Sequence, residues 1–299
     1  LQKIRSKDPL TEPKHIAAFE KRQLLEFQRQ ITAVQGIAFC FPYKFNYPWP
    51  EEAIALWEND QITLGRCGNA NACVVCTSEK MARHRKMAEL VCDDWVNAGG
   101  SVYWQRLSLQ NSSEHHTSEK YDLLKKTWSG MARLTDFKNA RSTAGEPQFC
   151  RVIEEVLTIH GWYPHFHVLW LFDSHVTDEQ AATYLDKVIL LWAKAANKIS
   201  PSLALAEAQH TEWKKLNVAR GTVTNYLFKH GFYDLSFEAA IDDPYTQSLS
   251  PFQVLRVYFE TGDIKLRCFF YDFERSCSNL RRVKFSVRFP KPSCWPLVD

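Results

Sequence analysis

The sequence predicts an α+β fold: an antiparallel sheet in the split βαβ order with helices on one face, joined to a small cysteine-rich module. Three observations predict it. Between 101 and 213, strand-like and helix-like periodicities alternate in the order β-α-β-β-α-β. The helix after the third strand opens on a capping-box pattern, Thr177-x-x-Gln180. Ahead of that core, Cys67, Cys73 and Cys76 crowd into ten residues and are followed by a basic run.

The elements follow in order. Residues 1–63 are charged and helix-prone from 11 to 35, then rich in aromatic residues and proline from 39 to 50, and make an N-terminal helical or irregular extension. Residues 64–98 hold the cysteine module and a basic helix, apolar at helical spacing from 77 to 98 and stopped by Gly99-Gly100. Residues 99–235 hold the sheet. A strand at 101–110 precedes a helix at 118–134, with Leu123, Leu124, Trp128 and Met131 on its apolar side. Two strands, 148–158 and 164–172, meet at a short hairpin connection at His160-Gly161. A helix spans 177–196, and a fourth strand falls within 203–213. Residues 221–231 read as a short helix carrying Tyr226, Lys229 and His230. The segment 236–299 adds two helices from Pro251 onward and ends in a basic stretch.

With 45% hydrophobic and 13% aromatic residues, the 299-residue chain can bury a large core, which excludes global disorder. A net charge of +3 is too small to imply a nucleic-acid partner, so the argument rests on where charge clusters. Two runs stand out, 80–86 and 275–291. They make Arg83, Arg85, Lys86, Arg281, Arg282 and Lys284 candidate contacts to phosphates. Nine cysteines, odd in number and unevenly spread, fit a reducing compartment and a metal site better than a disulfide framework. The sequence shows no signal peptide and no run long enough to span a membrane, and it starts at Leu1, which implies a trimmed start. The expected location is the cytoplasm.

Three constellations carry chemistry. His165 and His167 are separated by one residue in an apolar run, so in a strand both imidazoles leave the same face. Glu154 or Glu155 on the preceding strand can bring a carboxylate beside them, the other glutamate then facing solvent. Two imidazoles and a carboxylate with open positions suit Mg²⁺ or Mn²⁺ as a Lewis acid on a phosphoryl oxygen. Cys67-x₅-Cys73-x₂-Cys76 suits structural Zn²⁺, with Cys40, His84 and Cys92, in that order, as candidates for the fourth ligand. Tyr226 is a candidate nucleophile, with Lys229 placed to offset developing charge.

Together these resemble the HUH endonucleases, in particular the replication initiators of rolling-circle plasmids of bacteria. The likeness covers roughly residues 64–290. It rests on Arg66-Cys67-Gly68 with Cys73 and Cys76, the segment Tyr103 to Gln110 followed by His115-His116, Glu154 with Gly161-Trp162-Tyr163-Pro164-His165-Phe166-His167, and Tyr226-Leu227-Phe228-Lys229. Counting back from Gly161 then favours Glu154 over Glu155. The resemblance implies a ferredoxin- or RRM-like HUH fold with the metal histidines on a central strand. It also implies nicking of single-stranded origin DNA through a covalent 5′-phosphotyrosine, a 3′ hydroxyl left for a polymerase, and host helicase and polymerase as partners. Where many relatives carry a second tyrosine, this chain has His230, so Tyr226 is the single nucleophile. His230 is then left to orient the phosphate or activate water, and Tyr233 is a fallback. The usual threonines of the first strand are replaced around Trp104-Gln105-Arg106.

Two alternatives share these residues. A single-tyrosine HUH transposase uses the same chemistry in a different setting. A non-catalytic, zinc-dependent DNA-binding protein would use only the cysteines and the basic runs. Either way, bases could stack on Trp104 or Trp162. A small-molecule metallohydrolase leaves Tyr226 and the basic runs without a role.

Overall fold

Successive residues of 148–158 and 161–172 leave opposite faces, both largely buried, and the five-stranded antiparallel sheet of this protein is built around that pair. The computed structural model describes residues 13–40, 67–111, 113–203, 212–217, 248–277 and 280–290. They divide into two compact units, one within Leu1–Lys80 and Phe232–Asn279, the other within Met81–Gly231 and Leu280–Asp299. This division is discontinuous in sequence and differs from the four consecutive segments read above.

The second unit contains β1 (Ser101–Leu107), α4 (Thr117–Arg133), α5 (Thr135–Thr143), β2 (Gln148–Thr158), β3 (Gly161–Phe172), α6 (Asp178–Ile199), β4 (Glu212–Lys215) and β5 (Val283–Phe285). Strand order is β4-β1-β3-β2-β5, every neighbour antiparallel. The first four strands keep the expected split βαβ order, and β3 is central. Gly161, with φ of +80°, turns the chain back into β3, and Thr158 Oγ1 ties the hairpin by donating to the Gly161 carbonyl (3.0 Å).

One face of the sheet is a layer of aromatic rings under α4 and α6. Trp128 packs against Phe149, Phe166 and Trp170, with centroids 5.3, 5.5 and 6.3 Å away. Tyr184 and Trp192 of α6 close on Trp170 and Phe166. The fully buried Gln105 is satisfied there: it donates to the Leu185 carbonyl and accepts from Trp170 Nε1. Helix α6 starts as the capping box predicts, with Gln180 N–H donating to Thr177 Oγ1 and Thr177 N–H to Gln180 Oε1.

Helix α3 (Val74–Asn97) begins in the first unit and continues into the second. Its end is set at Gly99, with φ of +89°. A Cβ at Gly100 would strike the Trp95 ring and the Phe172 carbonyl, which Trp95 Nε1 bonds at 2.8 Å. On the sheet face opposite α4 and α6, His84 of α3 meets Phe285 edge-on. The expected one-sided helical cover therefore holds for α4 and α6 and not for α3.

Three further points bear on the expectation. Among the described residues the fourth strand spans Glu212–Lys215, overlapping the expected 203–213 at Glu212 and Trp213 and running two residues past it; residues 204–211 lie outside the described residues. Helix α5 starts again at Thr135, immediately after α4, with Leu134 between them in extended conformation. The basic C-terminal stretch contributes β5, an edge strand on β2 too short to show alternation.

The first unit contains α1 (Pro13–Ile31), the short α2 (Gln35–Ala38), the start of α3, α7 (Pro251–Thr261) and α8 (Ile264–Cys277). Pro251 sits at the first turn of α7 behind the Ser250 cap. Phe27 of α1 packs on Tyr258 and Phe259 of α7, and Phe252 meets Phe270 and Phe273 of α8.

Candidate metal centres

The pairing of β2 with β3 places Glu154 directly opposite His165 and Val152 opposite His167, so one carboxylate and two imidazoles share a face. All three are buried, at 2%, 5% and 5% exposure. Glu154 Oε2 lies 3.2 Å from His167 Nδ1, and the two imidazole centroids are 4.9 Å apart. Adjacent vertices of an octahedral site with bonds of about 2.1 Å are about 3 Å apart, so this donor spacing fits a divalent cation. Nδ1 of His165 faces the Tyr163 carbonyl at 3.2 Å, so an Nδ1–H there donates to it and leaves Nε2 as the lone-pair nitrogen. Burial, followed by the neighbouring His167, holds the His165 pKa down to about 3, so its ring is neutral, the form that ligates metal.

The choice between the two glutamates is decided by the strand. Glu154 is on the histidine face, and Glu155, one residue on, points to the other. The expectation that Glu155 faces solvent is overturned: it is buried beneath α4 and ion-paired with Arg282 Nη1 at 2.5 and 2.7 Å. That pairing also corrects the reading of Arg282 as a DNA contact, because its guanidinium is enclosed with Glu155.

The cysteines converge separately in the first unit. Cys40, Cys67, Cys73 and Cys76 bring their sulfurs within 4.8 Å of one another. Individual separations are 3.5 Å for Cys73 to Cys40, 3.6 Å for Cys67 to Cys76 and 3.7 Å for Cys40 to Cys76. Tetrahedral zinc with Zn–S bonds of about 2.3 Å requires sulfurs about 3.8 Å apart. All four are free thiols, and the cluster could hold zinc, with Cys40 as the fourth ligand. Neighbouring thiols that donate to Cys76 push its pKa far below the ordinary value, which favours a thiolate there.

The scaffold of this cluster is polar and buried. Asn69 Oδ1 accepts from the N–H groups of Asn71 and Ala72, turning the chain into α3. Gln28 Nε2 donates to the Ala72 carbonyl and to Glu274, and its Oε1 accepts from the Val74 N–H.

Other candidates are placed less centrally. Arg83, Lys86, Arg281 and Lys284 are exposed, and Arg85 pairs with Glu89 at 3.4 Å. Trp104 and Trp162 are buried, Trp104 with its ring against His167, so neither offers a face to a base. His84 and Cys92 do not join the sulfur cluster. Tyr226, Lys229 and His230, with Tyr233, lie outside the described residues. Sequence reasoning named Arg106 only as a departure from a motif. The register places it opposite His167, with an ion pair to Glu212 at 3.1 Å. Its signal was positional, a same-face residue on the strand next to β3.

Among the described residues no helix is long and apolar enough to cross a membrane. Compared with models of protein families, with curated proteins and with solved structures, the chain gives no match in any of the three.

Proposed function

We propose that this chain is a metal-dependent DNA-nicking and joining enzyme of the HUH type that initiates rolling-circle replication of a plasmid in the bacterial cytoplasm. The observation that carries this reading is the convergence of Glu154, His165 and His167 on one buried face of the central hairpin. When bound there, Mn²⁺ or Mg²⁺ supplies Lewis-acid polarisation of a phosphoryl oxygen.

The chain's own residues do the rest. Glu154, His165 and His167 would hold the cation, and the Tyr163 carbonyl fixes the His165 tautomer. The Tyr226 oxygen attacks the scissile phosphorus as its proton is lost. A new P–O bond joins tyrosine to the 5′ phosphate, the P–O3′ bond breaks, and the departing 3′ oxygen takes up a proton. Lys229 offsets charge on the phosphoryl oxygens, and His230 orients them. A second transesterification reverses the linkage. The partners are single-stranded origin DNA, a host polymerase that extends the exposed 3′ hydroxyl, and a host helicase. The same chemistry would serve a single-tyrosine transposase, which an origin on the same replicon distinguishes.

The test mixes the protein with labelled single-stranded DNA carrying its own origin, with Mn²⁺ or with chelator. A metal-dependent adduct is expected on a denaturing gel, with Tyr226 as the linked residue by mass spectrometry. The four-cysteine cluster favours the second reading, a zinc-dependent DNA-binding protein without catalysis. That reading gives salt-sensitive binding and no adduct with any metal.

A further inference from the structure

A second constellation lies on the α4-covered face of the sheet. Arg151 pairs with Val168 on β3 and with Lys284 on β5; three residues before Glu154 on the same strand, it leaves the opposite face. Its guanidinium lies between the rings of Trp128 (4.4 Å) and Phe166 (4.1 Å), and the residue is only 7% exposed. Nε and Nη1 are enclosed and have no hydrogen-bond partner among the described residues. An arginine stays charged in a protein, and a buried guanidinium ordinarily has a carboxylate or phosphate on its fork. Arg282, also on this face, has that complement in Glu155. The ring contacts offset part of the charge burial on Arg151, but they satisfy none of its N–H donors.

The surroundings sharpen the imbalance. Lys284 is directly across the strand pair, on the edge strand of the sheet. Burial, then the charges of Arg151 and Arg281, hold its ammonium below the ordinary lysine pKa. Two cations, Arg151 and Lys284, therefore face each other across this edge, and neither has an ion pair with a carboxylate among the described residues. The missing element is an anion with several acceptor oxygens, which a guanidinium fork binds well.

We propose that Arg151 and Lys284 form a phosphate-binding site at the β2–β5 edge, on the face of the sheet away from Glu154, His165 and His167. The phosphate is either a DNA backbone group or free inorganic phosphate. The site stands independently of the nicking reading.

The test uses the full chain without added divalent metal. Inorganic phosphate is titrated against sodium chloride at matched ionic strength, with affinity from calorimetry and stability from thermal melting. Saturable binding with a raised melting temperature is expected. Lys284→Ala should weaken it about tenfold, as loss of one charge-assisted hydrogen bond does. Arg151→Met should abolish it while leaving the phosphate-free melting temperature unchanged or higher, because the substitution removes an uncompensated buried charge. Absence of binding by the native chain, or equal binding by Lys284→Ala and Arg151→Met, overturns the proposal. If Arg151→Met does not fold, Lys284→Ala and the charge-reversed Lys284→Glu, at an exposed position, decide it: both must weaken binding, the second more than the first. Once phosphate binding is established, a metal-free single-stranded oligonucleotide identifies its source. Weaker binding by Lys284→Ala assigns the site to the DNA backbone, and unchanged binding assigns it to free phosphate. Failure of the adduct experiment leaves this result untouched.

Discussion

Arg282 and Glu155, 127 residues apart, close a buried ion pair in which both carboxylate oxygens accept from one guanidinium nitrogen. The pair fastens the strand β5 to β2 next to the hairpin that carries the histidines. Removing one partner leaves an uncompensated buried charge, which costs about 3–5 kcal/mol. Glu155→Gln and Arg282→Met should each destabilise by that order in chemical denaturation. The double variant Glu155→Met with Arg282→Met should recover most of the loss, and simple additivity would show that the pair is not coupled.

Removing a metal donor should separate catalysis from binding. His165→Ala, His167→Ala and Glu154→Gln are each expected to reduce nicking by about a hundredfold or more, equivalent to about 3 kcal/mol of transition-state stabilisation. Affinity for single-stranded DNA, measured by fluorescence anisotropy, should change little. Joint loss of binding would assign these residues to structure.

The sulfur cluster should act on folding. One zinc per chain is expected by elemental analysis, and Cys40→Ser should lower that content and the melting temperature together. Chelation should do the same to the native protein. An unchanged melt after zinc removal would exclude a structural role for the cluster.

Glu274 gives the first unit a pH dependence. Burial raises its carboxyl pKa, while hydrogen bonds from Gln28 and Thr32 pull it down less strongly. A carboxyl whose folded pKa is raised contributes stability that is full below the unfolded value and is lost as pH rises through the folded one. Stability should therefore fall from about pH 4.5 upward. Glu274→Gln, which keeps the acceptor for Gln28, should remove that fall and raise the melting temperature at pH 7. A steeper fall in the variant would reverse the assignment.

The sequence was most legible where a pattern is local. The apolar run Phe166, Val168, Leu169, Trp170 and Leu171 identified the central strand, Thr177 and Gln180 set the start of α6, and the spacing of His165 and His167 revealed a shared face. Residue counting chose Glu154, and the register shows why: it stands opposite His165. Long-range partners were illegible. Nothing in the basic run around Arg282 announces Glu155, because a three-residue edge strand has no period and its pairing is set by tertiary contacts. For the same reason Arg282 read as a surface cation. Trp104 read as a stacking platform because composition does not reveal that its ring is turned against His167.

The hairpin has a consequence for how this centre comes into being and changes over time. All three of its donors fall between positions 154 and 167, on two strands joined by Ile159 and His160, so the closure of a single short loop brings them together. The constellation can therefore assemble early and locally, ahead of the distant strand pairings that complete the sheet. The same economy makes it brittle to length. One residue gained or lost within β2 between Glu154 and the turn would exchange the faces of the glutamates while leaving the histidines in place. Insertions outside the hairpin would leave the constellation whole.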